Sequence, residues 1–126
     1  MLDNQQFIID HNHKANFRTE SKAAVQLIRK GKSTSGKLIK ALENPDKTIM
    51  AHLVLCHIYY KKVSFAGPKV IVSETQDIYK YYLGEENGDG LIISEVKENG
   101  KHKIYVEPKD IESIQNYWKI KIRNTK

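Results

Sequence analysis

At 126 residues the chain has the length of one ordinary domain, large enough for a core and too short for two substantial ones. With 40% hydrophobic and 29% charged residues, the composition is globular and excludes a disordered chain. The net charge of +6 is uneven: residues 1–62 hold 11 Lys and Arg against 5 Asp and Glu, whereas residues 63–126 hold 10 of each kind.

The longest apolar run, around Leu53-Val54-Leu55-Cys56, is flanked by His52 and His57. It falls far short of the roughly 20 residues that a membrane span needs, so no membrane partner is predicted. The first residues, MLDNQQFIIDHNH, lack the basic-then-apolar order of a secretory signal. One cysteine cannot form an internal disulfide. Together these features predict a reducing, cytoplasmic setting.

In chain order, Thr19 is placed to cap a first helix, with Glu20 in its first turn, an apolar stripe at Ala24, Leu27 and Ile28, and Gly31 as its stop. Ser33, Thr34 or Ser35 can cap a second helix carrying Leu38, Ala41 and Leu42. It ends near Asn44-Pro45, because a residue before proline is pushed out of the α region. A third helix is predicted to start there, with Asn44 as cap, Pro45 at the first helical position and Asp46 near the positive end of the dipole. From Ile49 to Tyr60 it is apolar on nearly every side, so it must be covered on more than one face.

The second half predicts that cover. After Gly67-Pro68 come Val70-Ile71-Val72, Ile78 to Leu83, a loop at residues 86–90, Leu91 to Lys97, an Asn99-Gly100 turn and His102 to Val106. Asn-Gly between alternating runs is a strong hairpin signal, because both central residues of a type I′ turn need positive φ. The pattern favours a three-stranded antiparallel meander. A rival makes Ser73-Glu74-Thr75-Gln76 a capping box and Asp77 to Leu83 a helix. Pro108 to Asn116 predicts a short helix or turn, and the alternation of Trp118-Lys119-Ile120-Lys121-Ile122 predicts a last strand.

GKSTSGKL, residues 31–38, approaches a phosphate-binding P-loop through Gly31, Gly36 and Lys37. A P-loop joins a buried strand to a helix and follows its lysine with a magnesium-binding Ser or Thr. Here a helical pattern precedes and Leu38 follows, so the segment is expected to be a polar connection.

Residues 24–58, AVQLIRKGKSTSGKLIKALENPDKTIMAHLVLCHI, resemble a single HEAT-type helical repeat. The likeness lies in an apolar helix ending at Gly31, Leu38-Ile39 and Ala41-Leu42, the Asn44-Pro45-Asp46 corner and the apolar helix from Ile49. His57 stands where leucine is usual, Met50 where a basic residue is common, and no second copy follows. Solenoids stack several units, so this one would have to be closed off by the sheet. The resemblance implies a scaffold that binds other proteins.

Among candidate ligands, His11 and His13 of Asp10-His11-Asn12-His13 could share one side of a strand, but two residues leave a zinc site incomplete. His52 and Cys56 lie at i, i+4 with no second cysteine, which favours a core thiol beside a packed histidine. Glu85, Glu86 and Asp89 do not follow the order of a calcium loop. No metal, cofactor or catalytic residue is therefore predicted. Tyr59, Tyr60, Tyr79, Tyr81, Tyr82, Tyr105 and Tyr117, with Trp118, fit core and interface positions better than base stacking, because no nucleic-acid module accompanies them.

The expected architecture is a single α+β domain over residues 1–126. A mainly helical part (residues 1–62), holding the three-helix HEAT-like unit, packs against a mainly β part (residues 63–126) that forms an antiparallel sheet. The expected function is a small, non-enzymatic protein-interaction module, of which an inhibitor or immunity-type protein is one form. The alternative is nucleic-acid binding through Lys30, Lys32, Lys37 and Lys40, which lie with Lys22 and Arg29 in an acid-free stretch from Lys22 to Leu42. The basic tail Lys119, Lys121, Arg123 and Lys126 would assist. A third possibility is an enzyme whose site assembles from scattered residues.

Overall fold

The computed structural model describes residues 1–11, 16–84 and 90–125. Its chain order departs from the expected one, helices first and sheet last. The chain opens with an antiparallel hairpin, β1 (Phe7–Asp10) and β2 (Asn16–Thr19), before any helix. Helices α1 (Lys22–Lys30), α2 (Ser35–Leu42) and α3 (Thr48–Tyr60) follow. Strands β3 (Ser64–Ile71), β4 (Ile78–Gly84), β5 (Leu91–Glu98) and β6 (Lys101–Tyr105) form one antiparallel sheet in sequential order. A long C-terminal helix, α4 (Pro108–Asn124), closes the chain.

Two local corrections explain that difference. Thr19 is the last residue of β2, paired with Phe7, and it is Ser21 that caps α1 by accepting a hydrogen bond from the Ala24 amide at 3.0 Å. Trp118 to Ile122 belong to α4, so the predicted last strand does not exist. Pro108 stands at its N-terminus and Asp110 lies in its first turn. Ile111, Ile114, Trp118 and Ile122 then recur at helical spacing, and all four belong to the core or pack against it.

Helix α3 is the axis of the core. Every residue from Thr48 to Cys56 is buried, and α1, α2, β4 and β5 pack around it. Its start is tied to the N-terminal segment: the Asn4 side chain accepts from the Ile49 amide at 2.9 Å and donates to the Pro45 carbonyl at 2.7 Å. Asn44 therefore shapes the preceding turn, where its side chain accepts from the Asp46 amide, and the helix itself begins at Thr48. Lys61, in the left-handed region at φ 64°, ends it.

The segment that could have been helix or strand is strand β4. It pairs with β3 on one side and β5 on the other. Tyr81 and Leu83 face the core, while Tyr82 and Lys80 point to the outer face of the sheet, the alternation that a strand requires. Asn99 and Gly100, at φ 51° and 78°, make the predicted tight turn between β5 and β6. A bulge interrupts β3 between Ala66 and Lys69, where a Cβ on Gly67 would stand 2.9 Å from the Lys80 carbonyl oxygen. Among the described residues no helix is long and apolar enough to cross a membrane.

Candidate functional site

The four lysines of the alternative reading are all exposed. Lys30 ends α1, Lys32 lies in the 3-10 turn Gly31–Thr34, and Lys37 and Lys40 stand three residues apart on α2. The Lys32 ammonium sits 5.3 Å from the centroid of the Tyr59 ring. Aromatic side chains near this face are already engaged. The Tyr59 hydroxyl is hydrogen-bonded to Ser35 at 2.7 Å, and the Tyr60 hydroxyl to that of Tyr117.

GKSTSGKL is a connection between two helices. Gly31 closes α1 at φ 73°. The hydroxyls that would be needed for magnesium turn back onto the chain: Ser33 donates to the Lys30 carbonyl, Thr34 to that of Gly31 and Ser35 to that of Lys32. ATP or GTP with magnesium should accordingly leave the melting temperature unchanged. Saturation at a hundred times Kd would add about 2.7 kcal/mol, which thermal unfolding would detect.

His52 and Cys56 are both buried on α3. His52 Nε2 donates to the Leu83 carbonyl at 2.6 Å, and its Nδ1 accepts from the Trp118 indole at 2.9 Å. Those two bonds specify a neutral imidazole, and burial lowers its pKa to about 4. With both nitrogens occupied, this histidine is a structural joint between α3, β4 and α4.

The outer face of the sheet carries a groove of about 530 Å³. Tyr82 and Ile92, directly paired across β4 and β5, form its apolar floor with Ala66, Pro68 and Ile71. One wall is charged. The Lys80 ammonium donates to Ser94 Oγ at 2.6 Å and to Glu107 Oε2 at 2.7 Å. That hydrogen bond holds the Glu107 carboxyl below its ordinary range. Asp110, on the same wall, is shifted upward by burial and by neighbouring Glu107.

A second cluster lies on the inner side, where the first hairpin meets the far edge of the sheet. Glu95, only 1% exposed, lies on β5 and accepts from Tyr81 at 3.0 Å through Oε1. Its Oε2 lies 2.8 Å from His11 Nε2 and 3.6 Å from His102 Nδ1. The two imidazoles stack at 3.9 Å between centroids. Burial, together with the Glu95 carboxylate, raises the Tyr81 hydroxyl pKa. A cavity of about 690 Å³ opens beside the cluster.

The structure thus unites His11 with residues that the sequence reading passed over. His13, its proposed companion, lies outside the described residues, as do Glu85, Glu86 and Asp89. One signal was available. Pairing across the Asn99-Gly100 turn sets Lys97 opposite His102 and Glu95 opposite Ile104, which places Glu95 and His102 on one face. No family model, no curated protein and no solved structure matches this chain.

Proposed function

We propose that the chain is a small, non-enzymatic protein-interaction module that works in the cytoplasm and binds its partner through the outer face of the sheet. The observation that carries this function is the apolar groove of Tyr82, Ile92 and Ile71 beside the Lys80–Glu107 ion pair. Ile71, Tyr82 and Ile92, which share that face, are between 39% and 45% exposed. Contiguous exposed apolar surface with a charged rim is how protein interfaces are built. Strand β3 also ends the sheet, and an edge strand is a template on which a partner's extended segment can pair. The resemblance of residues 24–58 to a HEAT unit agrees with a protein partner, and inhibitors and immunity-type proteins are of this kind. The single buried cysteine suits a reducing compartment.

Nucleic-acid binding is the second reading, favoured by the exposure of Lys30, Lys32, Lys37 and Lys40. Two variants separate the readings. Changing Tyr82 and Ile92 to Lys alters the sheet face, and reversing the four lysines to Glu alters the basic face. The interaction function expects a partner that copurifies from the native host at physiological salt, is retained by the lysine variant and is lost from the sheet variant. Any shift of mixed-sequence DNA or RNA should be weak and gone near physiological salt, because lysine–phosphate binding falls steeply as salt rises. Tight, salt-resistant nucleic-acid binding that only the lysine variant loses would reverse the order.

A further inference from the structure

We propose that His11, Glu95 and His102 bind a divalent first-row metal ion, with zinc as the ion best matched to the donors. The three donor atoms lie within 4.8 Å of one another. A tetrahedral zinc site with bonds of about 2.0–2.1 Å separates its donors by roughly 3.3 Å. The His102 to Glu95 separation of 3.6 Å is already close to that value. The His11 to Glu95 separation of 2.8 Å is a hydrogen bond, which must open by roughly half an ångström as the metal replaces the proton between them.

The donor set is chemically complete for such a site. Two imidazoles and one carboxylate are a set that zinc takes with a fourth position left for water. The cavity alongside leaves room for that fourth ligand. Tyr81 engages the other Glu95 oxygen and so orients the carboxylate, as partners of metal ligands do. A carboxylate at 1% exposure, facing two histidines each with 39% of its side chain exposed, combines a buried anchor with donors that an ion can reach. The consequence is mechanical: His11 directly follows the first strand of the hairpin, so the ion would clamp the hairpin to β5 and β6.

The test is calorimetric titration of zinc into chelator-treated protein, with the melting temperature measured in parallel. One ion should bind per chain and raise the melting temperature. His102→Ala and His11→Ala should each weaken binding by at least tenfold, and Tyr81→Phe by about 10- to 100-fold. Both histidines are partly exposed, so their variants should keep the wild-type circular dichroism spectrum without metal. Cobalt should give the visible absorption of a low-coordinate site in wild type and lose it in the double variant. Absence of zinc binding, or binding equally tight in the folded His11→Ala/His102→Ala double variant, would overturn the site and leave a histidine–carboxylate ion cluster.

Discussion

Replacing Trp118 with alanine should cost about 3–5 kcal/mol, as deletion of a buried tryptophan does. The side chain is fully buried, with ring centroids of Tyr117, Tyr59, Tyr60 and His52 at 5.2, 5.7, 5.7 and 5.9 Å. Removing it empties the space between α4 and α3 and takes the donor from His52 Nδ1. Domains of this size are stable by about 5–15 kcal/mol, so a large share of the total would be lost. Trp118→Phe separates the two contributions. It retains much of the ring and loses the indole N–H, for which about 1–3 kcal/mol is expected from the buried acceptor left unpaired. Urea denaturation of the three proteins measures both steps. An alanine variant within about 1 kcal/mol of wild type would mean that α4 does not seal the core.

Acid should destabilise the protein through His52 before its carboxylates are titrated. The neutral ring is held between the Leu83 carbonyl and the Trp118 indole, and burial lowers its folded pKa to about 4. In the unfolded chain it returns to an ordinary value near 6.5. Between these values the unfolded state binds the proton and the folded state does not, so stability falls as pH falls. The contribution is complete above about pH 6.5 and is lost by about pH 4, an effect on the order of 3 kcal/mol. His57, half-buried and also shifted down, adds in the same direction. The measurement is unfolding free energy against pH for wild type and for His52→Gln, which removes the ionisation. The variant should be less stable at pH 7 and should show a shallower slope between pH 4 and 6.5. An identical slope would place the acid sensitivity elsewhere.

Where structure follows from neighbours in the chain, it could be read directly. Gly31 stops α1 because a left-handed residue is needed there, and Asn99-Gly100 turns the hairpin for the same reason. The all-round apolar pattern of α3 demands burial on several sides, and the buried run from Thr48 to Cys56 meets that demand. The ends of the chain take their structure from distant contacts. Phe7–Asp10 and Asn16–Thr19 are short strands that gain stability from pairing with each other and from the stacked rings of Phe7 and Phe17, both of which meet Phe65 edge-on. Residues 118–122 carry alternating and helical periods together. The pocket that receives Trp118 between His52, Tyr59 and Tyr60 selects the helix.

The histidine–glutamate cluster divides in the same way. Glu95 and His102 fall on one face through hairpin parity, a local rule that residues 95–104 contain. His11 reaches Glu95 across 84 positions of sequence. No periodicity spans that distance. Their meeting depends on the docking of the first hairpin, and that in turn on long-range burial of Phe7 and Ile9 in the core around α3.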